Sequence, residues 1–168
     1  MDREQQSRRA GREAARFWRH RGLPGVDLLK ARYVTHRFTR HVHDGYAIGV
    51  ILSGVEEFRC RGDLHRAGPG SVVTVNPEHE HTGHAGLPEG WSYRMLYPSI
   101  GMLTGIAAEL SLGRGTPYIR ERVIADPHGA ALLLAAHGAA EWADDLAASS
   151  LVRAAFAHLL RHHAGSAP

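Results

Sequence analysis

RFTRHVHDGYAIGVILSGVEEFRCRG, residues 37–62, decides the fold. It opens on the triplet His41-Val42-His43 and enters an almost unbroken apolar run from Tyr46 to Leu52. It turns at Gly54 and leaves through a segment in which Phe58 and Cys60 alternate with Glu57, Arg59 and Arg61. A short apolar run rich in β-branched residues and closed by glycine reads as a buried strand, and strict alternation reads as a half-buried one. On a strand, residues two apart point to the same side, so His41 and His43 can direct both imidazoles at one point in space.

Strand signals continue on both sides. LLKARYVTHRF (28–38) precedes the stretch; the turn-rich GDLHRAGPG (62–70), SVVTVNP (71–77) and WSYRMLYP (91–98) follow it. Short strands at this spacing, separated by Gly and Pro, predict an antiparallel sandwich or small barrel over residues 27–98. From residue 99 the pattern changes to Ala- and Leu-rich helix: SIGMLTGIAAELSL, then Asp126-Pro127 as cap and first-turn proline ahead of ALLLAAH, then a last helix with Ser150 as its expected cap. GRGTPYIRERVI, between the first two, reads as extended. Residues 4–20, EQQSRRAGREAARFWRH, predict a helix within an N-terminal arm of residues 1–26. The expected organisation is arm 1–26, barrel 27–98, helices 99–163 and a linker from 164 to 168.

Composition narrows the class. One Cys in 168 residues excludes an intrachain disulfide and a cysteine-built zinc cluster. No apolar run approaches the roughly 20 residues of a membrane span, and the charged N-terminus lacks a secretory apolar segment, so a cytoplasmic protein without membrane partners is expected. The net charge of +3 hides an asymmetry. Residues 1–40 hold 11 basic and 4 acidic side chains, whereas residues 41–168 hold 9 and 13. No aromatic platforms, zinc-finger spacing or helix-turn-helix pattern accompany the basic end, which reads as a solvated, arginine-rich segment.

The histidines carry the sharpest chemistry. His79 and His81 form a second H-x-H pair, and if the two segments neighbour each other, His41, His43 and His81 surround one site. Neutral imidazoles suit a divalent ion, zinc or nickel, and three of them leave a coordination position open. Tyr46, Tyr93 and Arg94 are the further candidates for a ligand pocket. Tyr93, Met95 and Tyr97 share one strand face and Arg94 and Leu96 the other; alternation alone does not say which face is inward. Glu56, Glu57, Glu78 and Glu80 show no acid/base pairing. Leu151, Ala155, Phe156, Leu159 and Leu160 form an apolar stripe on the last helix, expected to pair two copies of the chain.

His41-Val-His43, Gly54, GDLHRAGPG and Pro77-Glu-His-Glu-His81 resemble the two motifs of the cupin β-barrel, a double-stranded β-helix or jelly-roll. The resemblance implies three metal-binding histidines at 41, 43 and 81, with Ala47 where a metal cupin carries its glutamate. RFTRHVHDGYAIGVILSGVEEFRCRG, HRAGPGSVVTVNPEHEHTG and GWSYRMLYPS together resemble the N-terminal effector-binding domain of AraC-type transcriptional regulators. That resemblance implies a mainly β cupin barrel followed by C-terminal helices, an unidentified small-molecule effector, a homodimer, no turnover, and DNA contact only through a C-terminal helix-turn-helix domain lying beyond this chain. Metal is not required on this reading. The alternative is a small metal-dependent cupin enzyme, an isomerase or oxygenase, using His41, His43 and His81.

Overall fold

A computed structural model describes residues 13–142 and 144–168. Its strands build two antiparallel sheets. The larger contains β1 (Ala14–Arg19), β2 (Val26–Tyr33), β4 (Ala47–Gly54), β7 (Val72–Val75), β9 (Trp91–Pro98) and β11 (Val123–Ile124), in the order β1-β2-β9-β4-β7-β11. The smaller is β3 (Phe38–His41), β8 (His81–Ala85), β5 (Glu56–Cys60) and β6 (Asp63–Ala67), in the order β3-β8-β5-β6. Helices α1 (Ile100–Glu109), α2 (Pro127–Glu141) and α3 (Asp145–His163) complete the molecule, with a two-residue ribbon of β10 (Tyr118–Ile119) and β12 (Ala164–Gly165). This is a cupin-like double-stranded β-helix followed by C-terminal helices.

Two apolar cores explain the sequence pattern. Between the sheets lie Leu29, Ala31, Ala47, Ile51, Phe58, Val73, Val75, Trp91, Tyr93 and Met95. On the far side of the large sheet, Leu28, Ile48, Val50 and Leu96 pack against Leu103, Ile106, Leu133, Val152, Phe156 and Leu159 of the helices. The central strands are therefore covered on both faces, and β4 reads as a continuous apolar run because its residues 47–51 have no wet side. Gly54 ends β4 at φ +68°, where a Cβ would stand 1.9 Å from the carbonyl oxygen of Gly90, so only glycine fits that turn.

Helix starts follow local chemistry. Ser99 Oγ accepts from the Met102 amide at 3.1 Å, Asp126 Oδ1 from Gly129 at 2.8 Å and Asp144 Oδ1 from Ala147 at 2.9 Å. The last helix thus begins at Asp145, and Ser150 is an interior residue rather than its cap. The predicted N-terminal helix is corrected as well. Residues 14–19 form a strand paired with β2 from Ala14↔Arg32 to Arg19↔Asp27, and residues 4–12 of that prediction lie outside the described residues. Tertiary contacts decide this strand: Trp18 meets the His137 ring edge-on at 5.3 Å, and the Arg16 guanidinium lies 4.4 Å over the Trp18 ring.

The stripe expected to pair two copies packs within the single chain. Ala155, Phe156, Leu159 and Leu160 are all within 1 % of complete burial, and Leu151 packs partly buried against the same cluster. The stripe packs against the chain's own sheet and helices. Among the described residues, no helix is long and apolar enough to cross a membrane.

Candidate metal centre and its cavity

His41 closes β3, His43 follows in the loop, and His81 opens β8; the β3–β8 ladder sets His41 directly opposite His81. The three rings converge, with centroids 4.2 Å apart for His41–His81, 5.0 Å for His41–His43 and 5.1 Å for His43–His81. One ring nitrogen from each lies within 4.8 Å of the others. His41 Nδ1 donates to the Thr39 carbonyl at 2.6 Å, and His81 Nδ1 to the His79 carbonyl at 2.9 Å. Those bonds fix the tautomer and turn each Nε2 lone pair outward from its own backbone, the arrangement that metal-ligating histidines use. Burial holds His81 neutral, with its pKa lowered to about 4, and lowers His43 as well. The donor set therefore fits a divalent ion that prefers nitrogen.

Behind the histidines lies a cavity of about 80 Å³, walled by Phe58, Val73, Val75, Tyr93, Met95 and Tyr97. Ala47 faces it, so the position of the missing motif glutamate is at the wall, as the alignment of motifs implied. A carboxylate nevertheless enters from elsewhere: Glu56, the first residue of β5, lines the cavity and is buried. Desolvation raises its pKa from an ordinary 4.5 to about 8, so it holds a proton at neutral pH. Glu56 has the same strand parity as Phe58 and Cys60, and that alternation was the signal for its inward direction.

Tyr93 joins the site, as does Tyr97, and burial raises both phenols, keeping them neutral. Tyr46 and Arg94 do not join it. Tyr46 is buried on the helix side of the large sheet, where its hydroxyl donates to Pro117 O at 2.5 Å. Arg94 lies on the sheet's outer face beside Lys30 and Glu141. The face of β9 carrying Tyr93, Met95 and Tyr97 is the inward one.

Asp126, His158 and His163 form a second cluster consistent with a divalent ion. Asp126 Oδ2 accepts from His158 Nε2 at 2.7 Å and His163 Nε2 at 2.9 Å, while His163 Nδ1 sits 3.3 Å from Glu121. Two histidines near the end of α3 thus meet the cap of α2. The sequence hid this because Asp126 lies 32 residues before His158. We expect Asp126→Ala to lower stability by about 1–2 kcal/mol at neutral pH, since it removes the α2 cap. Urea unfolding of the metal-free protein checks this, and an unchanged midpoint would show that the cap contributes nothing.

The AraC-like ligand binding domain family matches residues 23–156, most of the chain. The chain belongs to that family. No curated protein matches this AraC-like domain in sequence. Among solved structures it is similar to a conserved Streptococcus pyogenes protein of unknown function, at 18 % identity and TM-score 0.46, over 52 % of this chain and 75 % of that one. It is also similar to KdgF from Halomonas sp., at 19 % identity and TM-score 0.44, over 51 % and 78 %. A cupin family protein from Methanocaldococcus jannaschii gives 10 % identity and TM-score 0.48, over 52 % and 81 %.

Two expectations from sequence are corrected at this point. The resemblance to regulators implied a domain that senses without turnover and serves transcription and DNA binding. The structure instead brings together two clusters of side chains able to hold a divalent ion, one of them at the mouth of a cavity that the buried Glu56 lines, and these fit a catalytic site better than a purely sensing one.

Proposed function

We propose that this domain is a metal-dependent cupin enzyme that moves a proton within a small oxygen-bearing substrate, an isomerase-type reaction. The observation that carries the reading is the convergence of His41, His43 and His81 at the mouth of the cavity that Glu56 lines. The three imidazoles would hold a divalent ion, which when bound would supply Lewis-acid polarisation of a substrate carbonyl or hydroxyl oxygen. The chain does the rest. The imidazoles hold their ring nitrogens fixed through the Thr39 and His79 carbonyls. Glu56 takes the carbon-bound proton in its ionised form and returns it to the neighbouring atom of the substrate, and a pKa of about 8 keeps both forms present near the working pH of a general acid/base. Neutral Tyr93 and Tyr97 hydroxyls orient substrate oxygens, and Val73, Val75, Phe58 and Met95 exclude water. The family match to a ligand binding domain supports a small molecule as the occupant.

Metal content of protein purified without an affinity tag and reloaded with zinc or nickel tests the centre. His41→Ala/His43→Ala is expected to lose about one equivalent per chain relative to the wild type. Equal content in both would remove the centre. Exchange of carbon-bound hydrogen for deuterium, followed by NMR over a panel of small hydroxycarbonyl compounds, tests the chemistry. Glu56→Gln is expected to slow exchange by about 10²–10⁴-fold. Exchange at wild-type rate in that variant would remove Glu56 from the reaction.

A further inference from the structure

A second concavity lies at the Cys60 end of β5, apart from the cavity that Glu56 and Phe58 line. It is a cleft of about 610 Å³ whose charged and titratable lining is Arg61, Arg120, Arg122, His65 and His79 with Asp63 and Glu121. Its floor is rigid. Asn76 brackets Ile119, with Nδ2 donating to the Ile119 carbonyl at 2.9 Å and Oδ1 accepting from the Ile119 amide at 3.0 Å. Thr74 fastens the next residues, its amide donating to Arg122 O at 2.9 Å and its hydroxyl to Glu121 O at 2.5 Å.

On this floor Arg122 is only 8 % exposed. Its Nη2 donates to the Ile119 carbonyl and its guanidinium neighbours the Cys60 thiol and lies 5.7 Å over the Tyr118 ring, while its buried Nη1 lacks a hydrogen-bond partner. The Nδ1 of His79, buried in the same cleft, has none either. Buried charged donors are ordinarily satisfied, because an unmade bond leaves the whole desolvation cost uncompensated. Among the described residues, no carboxylate lies within ion-pair distance of Arg61, Arg120 or Arg122. Glu121, at the rim, is turned toward His163 instead. Arg61 and Arg120 are exposed and bring two more guanidinium groups to the cleft. The second H-x-H pair is thus divided between two sites: His81 serves the metal centre and His79 the cleft.

We propose that this cleft is a binding site for a compact oxyanion, a phosphate or carboxylate group, received by Arg122 Nη1 and His79 Nδ1 and flanked by Arg61 and Arg120. A planar guanidinium donates to such groups through paired N–H bonds, and burial strengthens those bonds by excluding water. An oxyanion here offers an acceptor to both orphaned nitrogens and a counter-charge to three guanidinium groups that neither Asp63 nor Glu121, at the same cleft, pairs with.

Calorimetric titration of the wild-type protein with inorganic phosphate, and separately with acetate, tests it. His41→Ala/His43→Ala is titrated in parallel, so that binding at the metal centre is told apart. One saturable site per chain is expected, kept in the histidine variant. Arg61→Ala/Arg120→Ala, which alters only exposed side chains, is expected to weaken it at least about tenfold, and sodium chloride to weaken it further. Arg122→Gln is expected to abolish it with far-UV circular dichroism unchanged; should that variant unfold, the exposed double variant alone decides. Saturation by phosphate but not acetate assigns a phosphate group, and the converse a carboxylate. No saturation by either anion, equal affinity in Arg61→Ala/Arg120→Ala, or loss of binding in the histidine variant would each overturn the proposal.

Discussion

Replacing Glu56 with Gln is expected to leave the metal-free protein near wild-type stability at pH 4.5 and to make it more stable, by something on the order of 3–5 kcal/mol, at pH 8.5. In the unfolded chain the carboxyl ionises near its ordinary 4.5, whereas burial holds it protonated in the native state up to about 8. Between those values the native state binds a proton that the unfolded state has released, so its stability falls as pH rises and levels off above about 8. Glutamine keeps the shape without the titration, and the difference between the two proteins therefore grows across that window. His137 acts in the opposite sense in both. Burial lowers its pKa to about 4, and the stability it costs on acidification cancels in the comparison. Urea unfolding at a series of pH values provides the measurement. A difference independent of pH would mean that the Glu56 carboxyl is ionised and hydrated in the native protein.

Phe156→Ala is expected to cost about 3–5 kcal/mol, with no change in sedimentation mass. The ring is completely buried between α3 and the large sheet, among Leu103, Ile106, Leu133 and Val152. Truncation loses its transfer energy and leaves a void that four surrounding elements cannot easily close. Equilibrium unfolding in urea reads the loss, and sedimentation equilibrium reads the assembly. Near-wild-type stability combined with a halved mass would return the stripe to the role that its sequence pattern suggested.

These residues show what the sequence carried. The change from strand to helix near residue 99 was legible because both periods are local. The H-x-H pair was legible for the same reason: residues two apart need only a strand to share a side. Glu56 was equally accessible by parity with Phe58 and Cys60, yet a Glu-Glu dipeptide reads as a wet surface until the opposite sheet covers it. Arg94 and Tyr46 were misplaced because both faces of the large sheet are buried, and alternation distinguishes two faces without telling cavity from helix layer. The strand at residues 14–19 was hidden for a different reason. Its alanines and arginines favour a helix in isolation, and only the exposed edge of β2 and the ring of His137 reverse that preference.

The cavity behind the three histidines has a kinetic meaning. At about 80 Å³ it is several times smaller than an ordinary ligand pocket, roughly 300–1,000 Å³. Anything beyond a few heavy atoms therefore waits for the chain to make room. The wall with the fewest ties is β3: four residues at the edge of the small sheet, held to β8 by a ladder whose register shifts between Phe38 and His41. Its movement would displace Phe38 and His41 together, so admission and the geometry of the metal centre share one hinge. Entry of a larger molecule would then have a ceiling rate set by the protein, reached when added ligand no longer hastens capture.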